Sequence, residues 1–176
     1  QQYKLQESDY CGNKFKNHSH DLKGNNDLLV WTRPDIIKTI HTEYLAAGAD
    51  IIETNTFNAN RLSQADYKLE HICYDLNVQA ARLAKEACIE FMQKNPGRKG
   101  YVAGALGPTS KTASLSPDVN NPAFRAVSYD QLKEAYYEQA SGLLDGGVDI
   151  LLPETTFDTL NLKACLFAID QLFEER

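Results

Sequence analysis

The chain has 176 residues, of which 43% are hydrophobic and 24% are charged, and its formal net charge is −6. This size and composition are typical of one folded domain with its own apolar core. The negative charge argues against a nucleic-acid partner, because no basic patch offers phosphates a contact. The longest apolar runs are too short to cross a membrane, which argues against a membrane partner.

The first part of the chain is polar, and residues 1–30 are predicted to form an N-terminal arm that precedes alternating helices and strands over residues 31–176. The segment "RPDIIKTIHTEYLAAG" carries apolar residues every three or four positions, which predicts an amphipathic helix. Thr32 and Asp35 are the expected capping pair of this helix, and Gly48 is expected to end it.

Three short apolar segments, "ADIIETNT", "YVAGALGP" and "VDILLPE", are predicted to be strands. Helices are predicted between them: one over 62–91 with a break, and one that begins with a Ser128/Gln131 capping box. A last helix is expected to be capped by Asp158. Strands that are apolar on both faces and alternate with helices predict an α/β fold with a parallel sheet. An open doubly wound sheet and part of a (β/α)8 barrel both fit this order.

Polar residues follow each predicted strand. Glu53 begins a Glu-Thr-Asn-Thr tail, Glu154 begins a Glu-Thr-Thr tail, and the long segment 107–127 follows the middle strand. Ligands bind at the carboxyl ends of parallel strands, so these tails predict a small-molecule site suited to an amino group. The alternative is structural, because a glutamate at a strand end can cap the next helix or pair with a lysine.

The four cysteines, Cys11, Cys73, Cys88 and Cys165, form no C-x-x-C pair. They are expected to be reduced, structural thiols, which favours a cytoplasmic location. A metal site that combines Cys11 with His18 and His20 is the less favoured alternative.

Five segments carry a resemblance to a known family: "DLKGNNDLLV", "AAGADIIETNTF", "QADYKLEH", "VAGALGPTSKTASLSPDVNNPAFR" and "GLLDGGVDILLPETTFDT". Over nearly the whole of residues 1–176, the chain resembles the homocysteine-binding module of cobalamin-dependent methionine synthase. The resemblance implies part of a (β/α)8 TIM barrel, about strands 2–4 with their helices, truncated at both ends.

The resemblance also implies the chemistry. In that family, zinc held by three cysteines binds the sulfur of homocysteine, which takes the methyl group of methylcobalamin, and folate and cobalamin modules belong to the same polypeptide. The family's zinc motifs, "GxNC" and "GGCCG", do not occur here, so the zinc cysteines are expected beyond Arg176. This chain alone is therefore expected to bind neither cofactor and to be inactive.

The resemblance assigns an amino-binding glutamate to Glu154, and Pro153 stands where the family has an aliphatic residue. Further substrate-binding residues implied in the same way are Thr54, Asn55, Thr56, Gly107 and Thr109. Two alternatives stay open: a homocysteine methyltransferase that uses betaine or S-methylmethionine as donor, and a non-catalytic fragment.

Overall fold

The computed structural model describes residues 3–176. Three strands, β1 (Ile51–Glu53), β2 (Tyr101–Leu106) and β3 (Ile150–Pro153), form one parallel sheet in the order β1-β2-β3. The parallel α/β arrangement predicted from the alternation of elements is confirmed. Closure into a barrel stays a prediction, because a barrel needs eight strands.

Helices precede, separate and follow the strands. They are α1 (Glu7–Cys11), α2 (Leu29–Thr32), α3 (Pro34–Ala46), α4 (Arg61–Gln64), α5 (Cys73–Lys94), α6 (Tyr129–Gly146) and α7 (Thr159–Glu175). The break expected within 62–91 is confirmed, since two 3-10 turns, Ala65–Tyr67 and Glu70–Ile72, separate α4 from α5. Within residues 3–176, no helix is both long and apolar enough to cross a membrane.

Two of the three predicted helix caps are confirmed. The Ser128 hydroxyl accepts a hydrogen bond from the Gln131 N–H, and the Gln131 side chain accepts one from the Ser128 N–H. Asp158 caps α7.

The capping pair Thr32/Asp35 is wrong. Arg33 occupies the N-cap position of α3, and the Thr32 hydroxyl donates instead to the Leu28 carbonyl at 3.3 Å. Asp35 binds the guanidinium of Arg33, which also reaches Asp9 at 2.6 Å. The first turn of α3 is therefore held by a charge network that also ties it to α1.

The segment that was predicted to be an N-terminal arm packs against the domain. Tyr10, Phe15, Leu22 and Leu28 are buried in one apolar cluster with side chains of α5. The burial of these large side chains fixes the segment against the long helix, since each contributes on the order of 1.5–3 kcal/mol.

The helices cover one face of the sheet. Ile52 and Val102 are buried together with Leu45 of α3 and Cys88 of α5. The opposite face stays open: Ile51 is 52% exposed and Tyr101, directly opposite it in the register, is 44% exposed. The two outer strands also lack a neighbour on one side within the described sheet.

The open face and the two sheet edges lead us to expect that the 176-residue chain associates with itself, because unpaired strand edges and apolar patches template contacts between chains. Sedimentation velocity over a range of concentrations should show dimers or larger species. Ile51→Lys combined with Ile150→Lys should reduce this association. Leu166→Lys, on the exposed side of α7, is the control and should not. A monomer at every concentration would contradict the prediction.

Candidate functional site

The carboxyl ends of the three strands meet at one edge of the sheet, which we call the rim. Glu53 ends β1, Leu106 ends β2 and Pro153 ends β3, directly before Glu154. Because the strands are parallel, the polar tails predicted from the sequence share this edge.

Two threonines join the tail of β1 to the central strand. The hydroxyls of Thr54 and Thr56 lie 2.7 Å apart, and both residues are buried. The Ala105 N–H donates to the Thr54 hydroxyl at 3.0 Å, and the Thr56 hydroxyl donates to the Ala105 carbonyl at 2.7 Å. These contacts with the backbone favour a supporting role for the two threonines.

Asn55 lies between them and is half-buried. Its side-chain amide donates to the Asn26 carbonyl at 2.7 Å, and the N–H of Asn58 donates to the Asp27 carboxylate at 3.0 Å. Through these two hydrogen bonds, the N-terminal segment holds the residues that follow β1 in place. Burial raises the pKa of Asp27 to about 6, although the hydrogen bond from Asn58 favours the ionised form.

Gly107 and Thr109 hold the start of the loop after β2. A side-chain carbon at Gly107 would lie 2.3 Å from the Phe57 carbonyl oxygen, so only glycine allows the two loops to approach this closely. The buried Thr109 hydroxyl donates to the Lys111 carbonyl and accepts from the Asn161 amide at 3.1 Å. Both residues thus fix the backbone of the loop after β2 next to the rim.

Asp158 ties the same loop to the start of α7. Its carboxylate accepts hydrogen bonds from the N–H groups of Leu160 and Asn161, and from the N–H and hydroxyl of Ser114. Burial alone would raise the pKa of Asp158, but these hydrogen bonds lower it below its ordinary value. The carboxylate is therefore a charged tether between helix and loop.

Glu154 is the predicted site residue whose charge is least compensated by neighbouring groups of the described chain. Its side chain is half-buried, and its described side-chain contact is a long one, 3.4 Å from the Thr155 hydroxyl. Burial raises the pKa of Glu154, the negative charge of Glu53 raises it further, and the Thr155 hydroxyl lowers it.

The backbone around Glu154 is unusual. Pro153 ends β3 without an N–H, and the N–H of Glu154 continues the regular pairing with β2 by donating to the Leu106 carbonyl at 3.1 Å. Thr155 has a φ of +52°, a conformation that β-branched residues rarely adopt. Strain of this kind clusters at functional sites.

Sequence reasoning placed Glu53 at a strand end but did not include it among the site residues, and it missed Asp27. The repeat itself carried the signal for Glu53, since "ETNT" and "ETT" put a glutamate in the same place after two strands. Asp27 had no such signal, because its contact with Asn58 joins distant parts of the chain.

The described residues do not fit a zinc site. No group of three or more histidine, cysteine or carboxylate side chains in residues 3–176 could hold a metal ion. All four cysteines are free thiols, and burial raises the pKa of Cys73 and of Cys165 to about 12, which disfavours the thiolate that zinc requires. The Glu7 carboxylate raises the pKa of Cys11 to about 11 by accepting its S–H.

Two cavities lie beside the rim. One, with a volume of about 380 Å³, is lined by Glu53, Thr54 and Asn55 together with His41 and Tyr44 of α3. The cavity lined by Glu154, Thr156 and Pro108 has a volume of about 10 Å³, room for about one water molecule. A ligand at Glu154 would therefore lie on the open side of the sheet, where Glu53 is also exposed.

Comparison with known proteins identifies the family of the chain. A family model described as homocysteine S-methyltransferase matches residues 2–175. The chain is also similar to solved structures of the homocysteine methyltransferase MmuM from Escherichia coli. The metallated form has 23% identity and a TM-score of 0.69, with 82% of this chain and 50% of that chain covered. The oxidized form has 20% identity and a TM-score of 0.70, with 90% and 55% covered.

At these identities the structures show a shared fold. The chain spans about half the length of the enzyme that it matches.

The hydrogen bonds of Asp158 lead us to expect that this residue holds the loop after β2 against α7. Asp158→Ala should lower the free energy of unfolding by about 0.5–2 kcal/mol, the usual effect of losing a helix cap. It should also release the loop from α7, so trypsin should cut after the exposed Arg125 faster than in wild type. Asp130→Ala, in the first turn of α6, is the control. Unchanged cleavage in Asp158→Ala would show that the loop is held by other contacts.

The buried Asp27 predicts a pH dependence of stability. Its pKa rises from 3.8 to about 6 on folding, so between these values the folded chain keeps a proton that the unfolded chain has released. Stability therefore falls as the pH rises through this range. Asp27→Asn keeps an acceptor oxygen and cannot ionise, so it should remove that fall and gain up to about 3 kcal/mol above pH 6.

Urea unfolding at several pH values from 4 to 7 measures this effect. Asp66→Asn serves as the control and should follow wild type. Asp66 is an exposed carboxylate that lines one cavity together with Asp27. The assignment fails if Asp27→Asn shows the same slope with pH as wild type.

Proposed function

Because the chain belongs to the homocysteine S-methyltransferase family, we propose that it forms one wall of the homocysteine site in an enzyme that methylates homocysteine to methionine. Its rim supplies Glu154 as the ligand of the substrate's amino group. Thr54, Asn55, Thr56, Gly107 and Thr109 support that site. The substrate sulfur would lie farther from Glu154, towards a metal held by other residues.

The single observation that carries this proposal is the state of Glu154. The carboxylate is half-buried, its pKa is raised by burial and by Glu53, and it forms no salt bridge within the described residues. An ammonium group satisfies such a carboxylate, because it brings a positive charge and up to three hydrogen-bond donors.

For the methyl donor we propose methylcobalamin, charged from methyltetrahydrofolate. The segments "GNNDLL", "QADYKLEH" and "SPDVNNPAFR" support this choice through their resemblance to the cobalamin-dependent type. The similarity to MmuM, a homocysteine methyltransferase, supports the acceptor and leaves betaine and S-methylmethionine as alternative donors. An assay of the full-length protein with each donor decides between them.

The cofactors belong to the same proposal. Zinc would bind the substrate sulfur and methylcobalamin would supply the methyl group, and one solved form of MmuM is metallated. The cysteines and histidines described here do not form such a metal site. We therefore propose that other parts of the full-length protein hold zinc, and that folate and cobalamin modules of the same polypeptide present the donor.

Changing Glu154→Gln in the full-length protein tests the amino-group assignment. The substitution keeps the shape and removes the charge, so homocysteine should bind roughly ten- to a hundredfold more weakly, the loss expected for one charge-assisted hydrogen bond. Binding of 4-mercaptobutyrate, a thiol without the amino group, should hardly change. Wild type should therefore discriminate between the two thiols, and the variant should discriminate much less.

Metal content is the control, since zinc should stay at the wild-type level in Glu154→Gln. An equal loss of affinity for both thiols would mean that Glu154 supports the fold or the metal, and the assignment would be wrong.

A further inference from the structure

We propose that a polar cavity between the N-terminal segment and the residues after β1 binds one hard divalent cation, Mg²⁺ or Ca²⁺, which keeps part of its hydration shell. This inference goes beyond the proposed function and does not rest on it, because Glu154 does not line the cavity.

The cavity brings together oxygen-bearing side chains from three parts of the chain. They include Asp27 of the N-terminal segment, Asn58, Ser63, Asp66 and Tyr67 after β1, and Ser110 of the loop after β2. The volume of the cavity is about 160 Å³. Since a water molecule occupies about 30 Å³ in the liquid, there is room for a cation and several waters.

Asp27 places a buried carboxylate at this cavity. The residue is only 4% exposed, and one carboxylate oxygen accepts the N–H of Asn58 at 3.0 Å. Within residues 3–176, no side chain donates a hydrogen bond to this carboxylate and it forms no salt bridge. Buried charges in proteins are normally paired or coordinate a metal ion, so Asp27 calls for a cation.

Other oxygens around the cavity are also free to bind a ligand. Asp66 is exposed and enters none of the salt bridges among residues 3–176. The backbone carbonyl of Asn58 accepts from Gln64, but its side-chain amide has no hydrogen bond within that range. The Ser63 hydroxyl accepts the N–H of Ser110 at 3.2 Å and keeps a second lone pair.

The chemistry of these groups selects the class of cation. No lysine, arginine, histidine or cysteine is among the residues that line the cavity. Carboxylate, carbonyl and water oxygens suit Mg²⁺ and Ca²⁺, whereas softer metal ions prefer nitrogen or sulfur ligands. Two carboxylates fall short of a cluster of three such side chains, which residues 3–176 do not provide, so waters must complete the coordination. Mg²⁺ is commonly bound in this way, and Ca²⁺ also accepts amide oxygens.

A titration of the metal-free chain with MgCl₂ and with CaCl₂ at pH 7.5 tests the proposal. Calorimetry should show one cation per chain, with a dissociation constant on the order of 0.1–1 mM for at least one of the two ions. The midpoint of urea unfolding should rise with that ion, because a ligand of the folded state stabilises it. NaCl at the same ionic strength should give neither effect.

Two variants locate the site. Asp27→Asn keeps an acceptor for the Asn58 N–H and removes the charge, so the cation should bind at least roughly tenfold more weakly. Asp66→Asn should weaken binding less, because solvent screens an exposed carboxylate. Asp21→Asn is the matched control, since Asp21 is an exposed carboxylate of the same N-terminal segment that does not line the cavity; it should bind as wild type does.

Three outcomes would overturn the inference. The first is the absence of both binding heat and a shifted midpoint with Mg²⁺ and with Ca²⁺ at 10-fold above the expected dissociation constant. The second is an equal response to NaCl, which would mean charge screening alone. The third is unchanged affinity in Asp27→Asn, which would place the cation elsewhere. None of them bears on the amino-binding role proposed for Glu154, which the thiol comparison tests separately.

Discussion

The hydrogen bonds between the threonines after β1 and the backbone of Ala105 set the geometry on which the candidate site depends. Beyond the last residue of β1, the Thr54 N–H still donates to the Ala103 carbonyl at 2.9 Å, and the two threonine side chains extend the pairing to Ala105. The buried amide of Gln139 adds a further hydrogen bond to the Thr56 carbonyl at 2.8 Å. Because the residues after β1 are fixed to β2, Glu53 has a defined position at the rim.

Two distant segments fix the remaining parts of the rim. The N-terminal segment reaches over the tail of β1 through Asn26 and Asp27, and α7 holds the loop after β2 through Asp158. In both places a buried carboxylate accepts hydrogen bonds from backbone N–H groups. These bonds restrain a loop that contains no helix or strand. A loop as long as 107–127 could not otherwise present a fixed surface, since ordering a free backbone costs about 1–2 kcal/mol per residue.

The sequence predicted the elements well, because periodicity and caps are local signals. The parallel strands, the capping box at Ser128 and the cap at Asp158 all depend on residues within a few positions of one another. The predicted cap at Thr32 is wrong because Thr32 ends α2, where its hydroxyl donates to the Leu28 carbonyl, and the first turn of α3 is held instead by Arg33, which pairs with Asp9, 24 positions away in the chain. The rim shows the same limit: the tails were visible in the sequence, but the contact of Asp27 with Asn58 joins residues 31 positions apart in the chain.

The carboxylates around the rim differ in how their charge is compensated, and this difference points to the ligand. Asp158 is buried, yet four hydrogen bonds from N–H and hydroxyl groups lower its pKa. Glu154 receives no comparable set within the described chain, its pKa is raised by burial, and it precedes a strained Thr155. Each of these features costs stability, of the order of 1–3 kcal/mol for the backbone strain alone. A fold that compensates its structural carboxylates so fully leaves Glu154 available for a cation from outside, and the amino group of the proposed substrate would supply one.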